Sequence, residues 1–329
     1  NVTKVTNANN QVTINTYDAF NRLLSVTTPK GETTSYQYLP TGELAKIIDP
    51  LGNETHFSYN ILGQMIEKTD PLGFKTKITY DVNGNVTQEI DPNGNVKTYE
   101  YDSLDQLVKR ILPDNIYEFV YDVRGNVSSI SDNKTKIDYL YERNEAGDVV
   151  SAVNFEGLGA YLNLPSYEIG YDYDVSGNRT KMITSFGEVN YIYDNGNRLT
   201  GLTNHLNENF SFEYDGGNRL SAINRPGSRS VLSFDNGNFL TSLIHSKVSN
   251  NSELSKFAYV RDNIGNRKKM TTNSGIHEYG YDLNNQLTSA VNPDSVDDTF
   301  GYDEIGNRTT DQDGSYSIAM IITETSQQK

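Results

Sequence analysis

Aspartates that recur in a Tyr-Asp-x-x-Gly-Asn motif are the residues whose type and spacing could do chemistry. The motif stands complete at Tyr80–Asn85, Tyr121–Asn126 and Tyr302–Asn307. Ca²⁺ prefers clustered carboxylate and carbonyl oxygens, so these aspartates are candidate ligands. Their spacing, however, matches neither an EF-hand loop nor a glycine-rich calcium repeat. We therefore favour a turn-capping role, in which each Asp accepts hydrogen bonds from backbone N–H groups downstream.

The motif predicts structural rather than catalytic residues, and we expect no metal site and no cofactor. Gly or Asn in the motif can adopt the positive φ that a tight turn requires. The aspartates considered as turn caps also include Asp174. The predicted structural residues are Tyr17, Asp18, Tyr80, Asp81, Gly84, Asn85, Tyr101, Asp102, Tyr121, Asp122, Gly125, Asn126, Tyr193, Asp194, Tyr214, Asp215, Tyr281, Asp282, Tyr302, Asp303, Gly306 and Asn307.

Tyrosine is the commonest aromatic residue, with 23 copies and no Trp. Aromatic faces suit sugar C–H groups, so the tyrosines could bind carbohydrate. The favoured alternative is a packed ladder of cross-strand aromatic pairs. A buried ladder predicts that Tyr80→Ala destabilises the array by roughly 3–5 kcal/mol.

Histidine chemistry has little support in the sequence. His56, His205, His245 and His277 lie far apart and lack a metal-binding spacing. No Gly-x-Ser-x-Gly elbow or phosphate loop is present. Only the convergence of a histidine with a serine and a carboxylate in the fold would favour an enzyme.

Short strands must position the motif residues. Residues 75–80 alternate, with Thr76, Ile78 and Tyr80 on one face, which predicts a half-buried strand. Return strands are predicted at Val86–Ile90 and Leu44–Ile48, and a second turn of the Asp-Pro-x-Gly type follows, as at Asp91–Gly94. Each unit is then two strands and two turns.

The motif recurs about every 21 residues, and about 14 units are visible. A period in this range marks a repeat architecture whose units stack on one another. We predict a single all-β array over 1–329, made of antiparallel hairpins that wind into a spiral or shell-like sheet of roughly 28 strands. Residues 1–141 are regular, 142–172 are an insertion, 173–310 hold further units with an insertion near 241–260, and 311–329 are a degenerate tail.

The insertions interrupt the repeat pattern. In repeat arrays, insertions map to loops that often bind, but for 142–172 we favour an added hairpin or an internal plug. Ser246–Ser255 is polar and predicts a solvated loop. Asn1 occupies the place of the motif's last Asn, so we expect the chain to be a fragment of a longer protein rather than to begin with a capping unit.

Composition excludes several classes of function. The net charge is −15, which argues against a nucleic-acid partner, because phosphate binding needs clustered Lys and Arg. No cysteine is present, so disulfides and thiolate metal sites are impossible. No apolar run approaches the roughly 20 residues of a membrane span.

The units resemble the YD repeats of the Rhs family. Tyr80–Val86 with Asp91–Gly94, and Tyr193–Leu199, carry the resemblance, which extends to about residue 310. The family includes bacterial Rhs and wall-associated polymorphic toxins, cocoon subunits of insecticidal toxin complexes, and teneurins. The resemblance implies a β-sheet shell that, in toxin members, encloses a C-terminal toxic segment released by self-cleavage. No counterpart of the cleaving core signature follows Arg308, so that activity is not transferred.

These observations favour a non-catalytic shell or scaffold segment of a secreted or surface-displayed bacterial protein. Its expected partner is the remainder of its own polypeptide, as an encapsulated or presented C-terminal cargo. The alternative is a carbohydrate- or cell-surface-binding module, with cell-surface glycans as partners. A concave face with several accessible tyrosines flanked by Asn and Asp would favour that alternative.

Overall fold

The computed structural model describes residues 1–144, 147–158, 166–293, 297–311 and 314–315. These residues form 31 strands and no helix. Accordingly, none of the described residues belongs to a helix that could cross a membrane. The strands are β1 (Lys4–Thr6), β2 (Val12–Tyr17), β3 (Leu23–Thr27), β4 (Thr33–Tyr38), β5 (Leu44–Ile48), β6 (Glu54–Tyr59), β7 (Met65–Thr69), β8 (Lys75–Tyr80), β9 (Val86–Ile90), β10 (Val96–Tyr101), β11 (Leu107–Ile111), β12 (Ile116–Tyr121), β13 (Val127–Ser131), β14 (Thr135–Asn144), β15 (Gly147–Gly157), β16 (Tyr167–Tyr173), β17 (Arg179–Thr184), β18 (Gly187–Tyr193), β19 (Leu199–Thr203), β20 (Asn209–Tyr214), β21 (Leu220–Arg225), β22 (Ser228–Phe234), β23 (Leu240–Lys247), β24 (Glu253–Arg261), β25 (Arg267–Thr271), β26 (Ile276–Tyr281), β27 (Leu287–Val291), β28 (Asp298–Thr299), β29 (Gly301–Tyr302), β30 (Arg308–Asp311) and β31 (Gly314–Ser315).

The strands are antiparallel and pair with their neighbours in the chain. Typical pairs are β8 with β9 and β9 with β10, and strands β1–β28 are assigned to one 28-stranded sheet. The short strands β29, β30 and β31 form a second, three-stranded sheet. The predicted all-β hairpin array is confirmed, including the return strands β5 and β9 at their predicted bounds.

Side chains alternate along the strands, so that one face of the sheet is more buried than the other. In β8, Thr76, Ile78 and Tyr80 are half-buried, whereas Lys75, Lys77 and Thr79 are exposed. The fully buried side chains among the described residues are small, such as Ala222 and Ser230 at 1% exposure. The tyrosine ladder is therefore half-buried. Substitution of Tyr80 by Ala should consequently cost less than the same substitution at a fully buried ring.

The chain divides into two compact units. Unit 1 comprises Asn1–Ser58, Thr69–Gly73 and Arg229–Lys329, and unit 2 comprises Tyr59–Lys68 and Phe74–Ser228. Unit 1 is thus built from two arms that are distant in sequence, with β1–β6 mainly in one and β22–β31 mainly in the other. Unit 2 holds most of the strands that lie between these two arms in the sequence.

Both predicted insertions lengthen hairpins. Strands β14 and β15 contain 10 and 11 residues and pair along their length, so part of 142–172 extends a regular hairpin. Residues 159–165 of that insertion, and most of the predicted tail 311–329, lie outside the described residues. The predicted loop at Ser246–Ser255 is wrong at its ends, because β23 and β24 continue into it past a bulge at His245/Ser246. Polar side chains are tolerated in these strand ends, because a strand face exposed to water does not need apolar side chains.

Candidate functional site

The motif turn closes through its backbone. At Tyr80–Asn85, the N–H of Asp81 donates to the carbonyl of Asn85 at 2.9 Å, and the N–H of Gly84 donates to the carbonyl of Asp81 at 3.2 Å. Gly84 has a φ of 94°, and the strand register shifts between Thr79 and Tyr80. A turn that ends in a left-handed residue with a bulge matches the twist of a hairpin. The motif glycine is therefore conformational in role.

Both carboxylate oxygens of the motif aspartate are used inside its own turn. Asp81 Oδ1 accepts from the N–H groups of Asn83 and Asn85, each at 2.9 Å, and Oδ2 accepts from Asn85 Nδ2 at 3.1 Å. The same pair of backbone bonds to Oδ1 recurs at Asp18, Asp102, Asp122, Asp174, Asp194, Asp215, Asp282 and Asp303.

The last motif residue completes the cap. Asn126 and Asn307 reach back to Asp122 and Asp303 at 3.1 and 3.0 Å, as Asn85 does to Asp81. Gly125 and Gly306 take φ values of 87° and 89°. With their oxygens occupied, these aspartates are poor cation ligands, and no group of three or more His, Asp or Glu among the described residues is placed to hold a metal.

The capping hydrogen bonds stabilise the ionised carboxylates. The side chain of Arg198 holds the pKa of Asp194 below its ordinary value, and the side chain of Asn178 does the same for Asp174. The largest shift lies at Asp132, where the Asn115 amide and two backbone N–H groups lower the pKa to about 2. Donors to the charged form always act in this direction.

Each motif tyrosine ties its hairpin to the preceding one. The hydroxyl of Tyr101, at the end of β10, donates at 3.0 Å to the carbonyl of Val86, the first residue of β9. Partial burial raises the pKa of this phenol, so it stays a donor. The same bond, at 2.8–3.1 Å and 14, 15 or 23 residues upstream, is made by Tyr17, Tyr38, Tyr80, Tyr121, Tyr141, Tyr173, Tyr193, Tyr214, Tyr281 and Tyr302.

One unit replaces the tyrosine by arginine and keeps the link. Arg261 Nε donates to the carbonyl of Leu240 at 3.4 Å, and its Nη1 donates to the carbonyl of Gly265 at 2.9 Å. Leu240 opens β23 as Val86 opens β9. Either side chain can therefore donate to the carbonyl at the start of the upstream strand.

Neighbouring motif turns also touch along their rim. Where the left-handed residue is Asn or Asp, it accepts from the last motif residue of the preceding unit, as Asp105 Oδ1 does from Asn85 Nδ2 at 2.8 Å. Where it is Gly and the preceding motif ends in Gln, that Gln packs there instead, with Gln64 Nε2 only 3.1 Å from a Cβ built on Gly84. Further Asn–Asn contacts are Asn1–Asn21, Asn178–Asn197 and Asn266–Asn285, and further Gln–Gly contacts are Gln106–Gly125 and Gln286–Gly306.

Aromatic rings two positions before the motif tyrosine form a row on the same half-buried face. Arg179 stacks over Tyr171 at 5.5 Å and over Tyr191 at 4.8 Å, measured from its guanidinium carbon to each ring centre. Arg267 lies in the same way between Tyr259 and Tyr279, at 5.6 and 5.1 Å. These guanidinium groups cover ring faces that a sugar would need. Individual strand alternations are visible in the sequence, but this row was not predicted from them; its signal is the aromatic residue two positions before the motif tyrosine.

The histidines do not form a site. His56 and His205 are exposed, and His277 bonds to Asn292 at 2.9 Å. His245 Nδ1 lies 2.7 Å from Ser230 Oγ, the pairing that an enzyme would need. Ser230 is only 1% exposed, so a substrate cannot reach its hydroxyl. This pair is a structural hydrogen bond between β22 and β23.

Comparisons with known proteins agree with this geometry. The sequence profile of the Teneurin YD-shell family matches residues 1–175. No curated protein matches the chain. Among solved structures, TcdB2-TccC3 without its hypervariable C-terminal region has a TM-score of 0.78 at 16% identity, covering 93% of this chain and 19% of that one. TcdB2-TccC3-Cdc42 gives 0.76 at 16% identity, covering 93% and 19%.

A toxin in its pore state has the same fold. The Photorhabdus luminescens Tc holotoxin pore gives a TM-score of 0.63 at 15% identity, covering 92% of this chain and 21% of that one. At such identities the likeness shows the fold alone. The present chain spans about a fifth of the length of these structures.

Proposed function

Because the chain belongs to the Teneurin YD-shell family, we propose that it is a non-catalytic segment of a shell that encapsulates or presents another polypeptide. The observation that carries this proposal is the use of the motif residues. Each Asp caps its own turn, and each Tyr binds the hairpin before it. Residues that could do chemistry are thereby committed to holding one hairpin against the next.

The proposed partner is the remainder of a longer polypeptide that carries these repeats. A toxic or otherwise harmful segment is the cargo that such a shell would serve best. We propose a secreted or cell-surface location in a bacterium, which the absence of cysteine allows in any redox environment. The related toxin structures support this proposal through their fold.

Limited proteolysis with native mass spectrometry tests encapsulation. The natural polypeptide that contains these repeats is digested under native conditions, and the retained masses are measured. We expect a protease-resistant shell that keeps a separate protected fragment. The control is the candidate cargo expressed alone, which should be digested at the same protease dose.

Two results would contradict the proposal. An intact array that retains no fragment would indicate a spacer or a surface-binding module. Binding to a glycan array, lost on substitution of half-buried tyrosines such as Tyr191 and Tyr279, would favour the carbohydrate-binding alternative. Because arginine covers the ring faces of tyrosines such as Tyr191 and Tyr279, we expect no such binding.

A further inference from the structure

The two arms of unit 1 meet through their turns. Asn9 Nδ2, in the turn between β1 and β2, donates to Asp262 Oδ2 at 2.9 Å. Asn263 Nδ2 donates to the carbonyl of Ala8 at 3.1 Å. These residues lie 253 and 255 positions apart. One arm offers the turn that follows a return strand, and the other offers a motif turn, so opposite rims of the array come together.

A second contact repeats this arrangement one hairpin further along. Lys30 Nζ lies 3.5 Å from Asp282 Oδ2 and 3.1 Å from Glu32 Oε1. Glu32 Oε2 in turn accepts from Asn284 Nδ2. The neighbouring Glu32 raises the pKa of Lys30, so this ammonium stays charged. The contact therefore carries one cation between two carboxylates.

The contact between the arms is polar and loosely packed. The four contacts given above involve side chains on at least one side, whereas the strands within each arm share backbone ladders. Cavities of about 290 and 390 Å³ lie along the line of contact. Asn284 Oδ1 and Gln286 Oε1 are buried beside it without a hydrogen-bond partner among the described residues. A protein core has neither feature, because core side chains are close-packed and their polar groups are satisfied.

We propose that this contact is a polar clasp that opens reversibly while both arms keep their β-sheets intact. The polar clasp consists of Ala8, Asn9, Lys30 and Glu32 on one arm and Asp262, Asn263, Asp282 and Asn284 on the other. Opening it exchanges a few exposed or half-buried hydrogen bonds and one ion-pair cluster for bonds to water, which costs little. If the chain is part of a shell, as proposed above, the polar clasp is the place where the shell wall can open.

Thiol cross-linking measures the closed state, because the chain has no cysteine of its own. Ala8→Cys combined with Asn263→Cys places one thiol on each arm of the 329-residue chain, and a short bifunctional maleimide joins them. We expect efficient linking in dilute buffer. Salt at about 1 M screens the Lys30 cluster, so the linking rate should fall about threefold or more. Lys30→Gln should lower it similarly without salt.

Matched controls separate opening from unfolding. Thr16→Cys with Ser25→Cys joins hydroxyl positions 2.6 Å apart within the β2–β3 hairpin, and its linking should not respond to salt. Lys97→Gln removes a cross-strand ion pair with Glu89 of 3.0 Å in unit 2, and the clasp should link normally in that variant. Hydrogen exchange of β2, β3, β24 and β25 should stay slow throughout.

Three outcomes would overturn the proposal. The first is a failure of the Ala8→Cys, Asn263→Cys variant to link at low salt, which would mean that the arms do not meet. The second is a linking rate that changes neither with salt nor in the Lys30→Gln variant. The third is a fall in linking that occurs only together with faster exchange in β2 and β24. Since no cargo is present in this experiment, its failure is distinguishable from a failure of encapsulation.

Discussion

The motif tyrosine stabilises the array in two ways. Its ring packs on the half-buried face, and its hydroxyl donates a hydrogen bond to the previous hairpin. Tyr80 donates to the carbonyl of Met65 at 2.8 Å. Arg261 shows that the donor is retained even where the ring is not. The contribution of the hydrogen bond can therefore be tested separately from that of the ring.

Tyr80→Phe removes the hydroxyl and leaves the ring. We expect a loss of about 1 kcal/mol in the free energy of unfolding, the usual worth of one hydrogen bond. Tyr80→Ala should cost about 2–3 kcal/mol, less than for a fully buried aromatic ring, because the ring is half-buried. Urea denaturation measures both, and Val82→Ala, at a side chain 98% exposed, should change stability by less than about 0.5 kcal/mol. A Phe variant as stable as the original chain would assign the whole effect to the ring.

At the scale of the hairpin, the left-handed turn residue is matched to the last motif residue of the preceding unit where that residue is Asn or Gln. Short Asn side chains meet Asn or Asp, and longer Gln side chains meet Gly. Space explains the match, because Gln64 already fills the place of a Cβ at Gly84.

Gly84→Asn should therefore be costly by itself and less costly in combination with Gln64→Asn. We expect a coupling of at least about 0.5 kcal/mol in the double-mutant cycle, measured by urea denaturation. Gly42→Asn is the control for backbone strain, since Gly42 also has a positive φ, of 114°, and nothing lies within 4 Å of an added Cβ. Equal costs for Gly84→Asn with and without Gln64→Asn would refute the matching.

At the scale of the whole molecule, the capped turns sum into a dependence on pH. Asp18, Asp194 and Asp215 have folded pKa values below their ordinary value, because backbone or side-chain groups of Arg22, Arg198 and Arg219 donate to them. A depressed folded pKa stabilises the fold above the unfolded pKa, near 3.9, and that stability is lost as the pH falls through the folded value.

We accordingly expect a thermal unfolding temperature that is level near neutral pH and falls steadily from about pH 4 towards pH 2. Asp132, with a pKa of about 2, should contribute to the lower end of this window. Asn115→Ala removes the hydrogen bond that lowers the pKa of Asp132 most. This variant should therefore flatten the lower end of the curve. A melting temperature independent of acid over this range would contradict the capping account.

The sequence predicted what is local and periodic. Strand alternation and the spacing of Tyr80, Tyr101 and Tyr121 determined β8, β10 and β12, since each repeat carries its own turn and strand signals. The polar clasp could not be predicted, because Asn9 and Asp262 are 253 residues apart and the repeat pattern does not indicate which two turns meet. Likewise, the ends of the predicted loop Ser246–Ser255 are strand, because polarity alone does not separate an exposed strand from a turn.

The fixed separation across the polar clasp has a consequence for evolution by duplication. Contacts at residues 9 and 262, and at 32 and 284, are separated by 253 and 252 positions. A genetic duplication or loss of one whole repeat of about 21 residues would shift the contact by one hairpin and again pair a motif turn with a turn that follows a return strand. A change of half a repeat would instead invert strand direction and bring two turns of the same kind together, in place of the two different turns that meet now. Copy number in such genes should therefore drift in whole repeats, with the clasp residues changing soon afterwards.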